Sequence, residues 1–406
     1  MLPAPGAERA LAASTLSRSI GNGIVITVVV LYFTRRQHLP AGRVGGALTI
    51  AALAAMAASV PAGRLADLLG TRRIAVGALL LQGCAIAGYA AVHTFTGFLA
   101  AATAVAVADS ASTAARGALV ATAVPREQRI RTRAYLRAVT NAAFSVGALA
   151  GGLVIARNTP AAYTAALPVG GALFLLSGLL LLPIPETPPE PAPEGAPRWI
   201  VLRDRGYMGV GLLNAVLIMN AGILNVALPI WMTQHTPVPS AAFSGFLLVN
   251  TALVVFCQIR ASRGVTDVPT GARALRRCGW WLAACCAAFA AAAHGSLWLA
   301  AALLTAGVVA QSAGELLYSA GSWALSYELA PEHAHGQYQG MFGLTSQLGT
   351  ALTPAATTFV ILGCGPAGWL LLGLALAAAG AAAPVVAAYA QRTRPFTPHP
   401  AQPAPR

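Results

Sequence analysis

Twelve apolar runs, each near 20 residues or longer, decide what this chain can fold into. They fall at roughly 14–33, 44–62, 73–93, 97–124, 134–156, 162–183, 207–233, 241–261, 274–294, 297–327, 338–362 and 365–390. A helix rises about 1.5 Å per residue, so about 20 apolar residues cross a ~30 Å hydrocarbon core. Lipid offers no partner for a free backbone N–H or C=O, which leaves helices as the spanning structure for runs of this length. The expected fold is all-α and integral to the membrane, with twelve transmembrane helices in contact with the lipid bilayer.

Charge is scarce and carefully placed. Charged residues make up 9% of the chain, against roughly 25% in a soluble domain. All 26 basic residues are arginine. Twenty of them fall on one side of the expected membrane, and four (Arg35, Arg36, Arg43 and Arg157) on the other; Arg18 and Arg116 lie deep inside spans. The positive-inside rule then puts both termini in the cytoplasm. Arginines dispersed over short loops do not make the single basic face, interleaved with stacking aromatics, that nucleic acid requires. The alanine and arginine bias without lysine suggests a GC-rich bacterial genome, and so a bacterial plasma (inner) membrane. Six cysteines lie in or beside apolar runs without metal-ligand spacing and read as small packing residues. No phosphate-cradling glycine loop or His/Asp/Glu constellation stands out, so neither an enzyme nor a bound metal or cofactor is expected.

The stretch 184–205 interrupts the pattern with Ile184-Pro185-Glu186-Thr187-Pro188-Pro189-Glu190-Pro191. Proline at that density favours extended chain. It divides the sequence into a six-helix bundle at 1–183, a cytoplasmic linker at 184–205, a second bundle at 206–391 and a tail at 392–406 expected to be disordered. The halves resemble one another. Ala118-Leu119 and Pro125 recur as Ala324-Leu325 and Pro331, an offset of 206 that also carries Asp109 onto Glu315; at an offset of 200, Asp67 falls on Asp267. Parallel repeats with a substrate site between them are a transporter architecture.

Between runs two and three stands Gly63-Arg64-Leu65-Ala66-Asp67-Leu68-Leu69-Gly70-Thr71-Arg72-Arg73. This segment resembles the signature loop of the major facilitator superfamily, which latches the cytoplasmic side of such transporters in their outward-facing state. The resemblance assigns gate roles to Gly63, Arg64, Asp67, Gly70, Arg72 and Arg73. Run five carries Gly147-Ala148-Leu149-Ala150-Gly151-Gly152, similar to the pattern of the superfamily's drug/proton antiporters at Gly147, Gly151 and Gly152, with Ala148 where proline is expected. The end of run four, Arg116 to Arg129, resembles bacterial multidrug-type members, with Thr122 where an acidic partner of the signature loop usually stands.

Charges within the spans are the sharpest functional signal. An ionised group at mid-bilayer costs about 2.5–3.5 kcal/mol on insertion scales, so it is kept for a reason. Asp109 lies near the middle of run four and Glu315 past the middle of run ten. In the superfamily, spans one, four, seven and ten line the central cavity. Arg116 follows Asp109 by seven residues, on the same helix face about 10 Å further along. Asn22, Gln311, Asn220 and Tyr318 complete the candidate substrate and proton-coupling set, while Trp323 and Tyr327 read as interface anchors.

The expected function is secondary active transport, most simply proton-coupled efflux of a small amphipathic molecule by a monomer. A uniporter or importer of a small metabolite on the same fold is the alternative, since run one offers Asn22 but no carboxylate. A receptor would be the reading if no flux could be measured.

Overall fold

A computed structural model describes residues 6–193 and 195–394; from residue 395 on, the expected tail lies outside the described residues. Twelve long helical segments account for all twelve apolar runs. They are α1 (Ala7–Arg36), α2 (Ala41–Leu69), α3 (Thr71–Ala91), α4 (Phe95–Ala123), α5 (Arg126–Arg157), α6 (Pro160–Leu179), α7 (Arg205–His235), α8 (Ala242–Ala261), α9 (Val268–Ala292), α10 (Leu297–Glu328), α11 (His335–Thr357) and α12 (Pro366–Arg392). No strand forms among the described residues. Among the described residues, ten segments are long and apolar enough to cross a membrane, and α9 and α11 are the less apolar pair.

Local chemistry sets the boundaries. Thr94 and Thr159 cap α4 and α6 by accepting from Gly97 N and Ala162 N. Pro160 occupies the first turn of α6, where its missing N–H loses nothing. Asp267 opens α9 in a capping box with Thr270. The Thr270 hydroxyl and backbone N–H together hold the Asp267 carboxyl below its ordinary range. Gly70 parts α2 from α3 at φ +103°, a conformation side chains with a Cβ resist.

The chain forms two compact units, residues 1–189 with 339–344, and residues 190–338 with 345–406. In the first, α1 packs on α5 and α6, while α4 packs on α2 and α3. Apolar burial drives little association within lipid, so close approach of small residues does more of the work. A Cβ on Gly23 would stand 2.5 Å from the Phe144 carbonyl, and one on Gly147 would overlap the carbonyl of Ile20. Gly151 sits against Thr27, whereas Gly152 has nothing within 4 Å. Tyr32, Phe33, Tyr89 and Phe98 close one end of this unit in edge and tilted ring contacts.

In the second unit α9 packs on α10 and α12. Its buried face carries Gly271, Leu275, Cys278, Gly279, Leu282, Cys285, Cys286 and Phe289, while Arg273, Arg276 and Arg277 are exposed. Gly279 and Gly380 meet backbone to backbone. The segment α7 is not continuous. An α-helix ends at Leu217, a turn follows, and a π-helical stretch at Ile223–Ala227 precedes the last eight residues, Leu228–His235. Gly222 lies against Thr353 of α11, whose side chain a Cβ there would overlap.

The linker region 184–205 is not extended throughout. Ile200–Arg203 forms one helical turn, and Asp204 accepts from Tyr207 N at the start of α7. Trp323 and Tyr327 are not interface anchors: they are 8% and 2% exposed, buried within the bundle instead of facing headgroups.

Candidate functional site

Asp109 is not a lone acid. Its Oδ1 accepts from Arg18 Nη2 of α1 at 2.7 Å and from Gln82 Nε2 of α3 at 3.0 Å. The expected companion, Arg116, turns elsewhere and gives Nη2 to the Thr15 hydroxyl at 2.5 Å. Thr15, Arg18, Ser19 and Asn22 follow one another at helical spacings of three, four and seven, so α1 presents one polar stripe to α4. The Arg18–Asp109 pair is open on one side, with side chains 20% and 44% exposed. An ionised pair at mid-span cannot face hydrocarbon at that exposure, so its open side is an aqueous one. The glycines of α5 have a place in this geometry. Gly147 and Gly151 let α5 seat against α1 on either side of Asn22, at Ile20 and at Ile24 and Thr27, and so fix the helix that carries Arg18.

The second unit holds a matching polar interior. Asn250 of α8 donates to Gln311 Oε1, Ser312 Oγ and Glu315 Oε2 of α10, at 3.1, 3.0 and 3.3 Å. Gln311 Nε2 donates to the Asn220 carbonyl at 3.4 Å, which also accepts from Ile223 N. Asn220 donates its own amide to Leu217 O, and its buried Oδ1 has no partner among the described residues. Tyr318 donates to Asn214 Oδ1 at 2.7 Å, and Asn214 in turn donates to Thr345 and Ser346 of α11. A helix broken at membrane depth exposes backbone groups that side chains must satisfy, and here Asn220 does so for the Leu217 carbonyl.

The signature loop closes on an unexpected partner. Arg72 donates to Glu186 at 2.9 Å and also to the carbonyls of Leu182 and Ile184. Arg73 Nε lies 3.0 Å from the same carboxylate. A Cβ on Gly70 would overlap the Glu186 carboxylate, a second reason for glycine there. Thr122 shares a 3.3 Å hydroxyl contact with Thr71. Arg64 and Asp67 lie partly buried in the last turns of α2, and Gly63 is buried. The arginines of this loop thus meet an acid just past α6, while the end of α4 offers Thr122.

The profile of the Major Facilitator Superfamily matches residues 11–354. The chain belongs to the major facilitator superfamily. No curated protein matches it. Solved structures share the superfamily fold at low identity. The human organic anion transporter MFSD10 (TETRAN) aligns at TM-score 0.71 and 15% identity, over 93% of this chain and 98% of that one. A bacterial homologue of the iron transporter ferroportin, outward-facing, gives 0.74 and 16% over 95% and 99%. The transporter FucP in the outward conformation, from E. coli, gives 0.73 and 14% over 94% and 98%. At such identities the likeness is one of fold.

As a major facilitator, this chain carries polar interiors that sequence alone assembled only in part. Asp109 and Glu315 lie on the fourth helix of each half, with Arg116, Gln311 and Tyr318 on those same helices. Arg18, Gln82, Asn250 and Asn214 were not among the expected site residues. Arg18 had a readable signal: a guanidinium within a span needs a carboxylate, and few spans offer one. Gln82 and Asn250 had none, since a lone amide in an apolar helix is ordinary.

Proposed function

We propose that this chain is a secondary active transporter that exports a small amphipathic molecule from a bacterial cell in exchange for protons. It works as a monomer by alternating access, with both termini in the cytoplasm. The observation that carries this is the pair of carboxylates at Asp109 and Glu315, one on the fourth helix of each half, each set among polar side chains within a span. Their surroundings divide the labour. Asp109 is held by a guanidinium, whereas the neutral amide of Asn250 reaches Glu315. Glu315 is the carboxylate assigned to carry the proton, and the Asn250 amide can accompany either protonation state. Asp109 and Arg18 form a charge pair that opens and recloses as cargo enters and leaves.

The test is transport in proteoliposomes under an imposed pH gradient. Glu315→Gln is expected to abolish gradient-driven accumulation, by at least tenfold, while insertion and thermal stability hold. Full gradient-driven transport by that variant would remove Glu315 from coupling. Import on the same fold is the second reading, favoured by Asn22 where an acid would otherwise stand on α1. Vesicles of opposite orientation separate the two.

A further inference from the structure

The polar interior of the first bundle holds more buried donors than acceptors. Three donors on the α1–α4 stripe have no partner among the described residues: Arg116 Nη1, Arg18 Nε and the Ser19 hydroxyl. One buried acceptor, Gln82 Oε1, is also unmatched. An unsatisfied buried donor is costly, and a charged one more so. The Thr15 hydroxyl that receives Arg116 has already donated to Leu11 O, so it returns no charge to the guanidinium. Among the described residues, Arg18 and Arg133 repel Arg116 and Asp109 attracts it. Asp109 is already engaged by Arg18 at 2.7 Å. An arginine that merely snorkelled would hold its head in headgroup water. The Nη1 of Arg116 is instead buried.

We propose that Arg116 is the docking point for the acidic group of the cargo, which is therefore an amphipathic organic anion: a carboxylate, sulfonate or phosphate monoester on an apolar body. This deepens the transport function proposed above and rests on it. A guanidinium with one arm unfilled suits a planar or tetrahedral group with two oxygens, which can take parallel N–H donations. Thr15 and Arg18 lie one turn apart on α1, so an anion held at Arg116 also reaches the field of Arg18 and competes with Asp109 for it. Cargo arrival would loosen the Arg18–Asp109 pair, which links binding to the opening of that pair.

The experiment uses the purified full chain and three naphthalene probes of one shape: 2-naphthoate, the neutral 2-naphthamide and the cationic 2-naphthylmethylammonium. Titration calorimetry is expected to show 2-naphthoate binding at least tenfold tighter than either of the others. Arg116→Gln should bring it down to the level of the amide, and Arg116→Lys to an intermediate level because the charge stays and the fork is lost. Thermal unfolding of the three proteins reports their folding. Should the Gln variant not fold, the Lys variant carries the comparison. Equal affinity for the three probes, preference for the cation, no binding of 2-naphthoate, or undiminished 2-naphthoate binding in Arg116→Gln would overturn the proposal. Counterflow in proteoliposomes separates it from the transport function. Selective binding without counterflow keeps the anion site and sinks transport, whereas counterflow of the amide or the cation alone does the reverse.

Discussion

Arg18 and Asp109 each need the other more than the bundle needs the pair. Removing one member of an ion pair leaves an uncompensated charge, whereas removing both can be nearly neutral. Asp109 is 44% exposed, so water screens part of that penalty. Arg18→Gln and Asp109→Asn should each destabilise by about 1–3 kcal/mol, and the double variant by less than either. Thermal unfolding in detergent reads this, and additive losses would show that the two charges are not coupled. The individual acids were legible in the sequence, because a carboxylate in an apolar run is conspicuous. Their partners were not. Seven residues place Arg116 on the face of Asp109, but a helix position does not specify which neighbouring helix the side chain meets, and α1 took the acid for Arg18.

Elements were legible to the extent that lipid dictates them. All twelve runs became helices because a span must satisfy its own backbone. What the runs could not convey is where a helix breaks. Where α7 breaks after Leu217, it meets Thr353 and Gln311, contributed from α11 and α10. The glycines of α5 allow a contrast within one element. Gly147→Val should cost about 1–3 kcal/mol, the usual penalty of overpacking, because its branched carbons would have to displace the Ile20 carbonyl. Gly152→Val, with nothing within 4 Å, should leave thermal stability nearly unchanged. Equal losses would mean that α5 does not seat on α1 through this face. The linker offers a second test. Glu186 holds Arg72 and Arg73, so Glu186→Gln should free the segment beyond it and speed tryptic cleavage at Arg198 several-fold. Unchanged cleavage would mean that the linker is tethered elsewhere.

At the scale of the whole molecule, membership in a transporter superfamily was visible in one loop and in the count of spans, while the chemistry of the cargo was not. That chemistry depends on donors left over once every helix has found its neighbours, a remainder no single segment can display. The exposed arginines of α9 have a further consequence, for biogenesis. A segment that begins Val268-Pro269-Thr270-Gly271-Ala272-Arg273 and carries Arg276 and Arg277 a turn later is a poor client for lateral release from a translocon on its own. Its glycine and cysteine face becomes useful only once α10 has emerged to cover it. A nascent chain truncated after Ala292 should leave this segment extractable by alkaline carbonate, and extension to Glu328 should make it resistant. The membrane would then receive the two as a hairpin, and synthesis would have to wait for the second arm before committing the first.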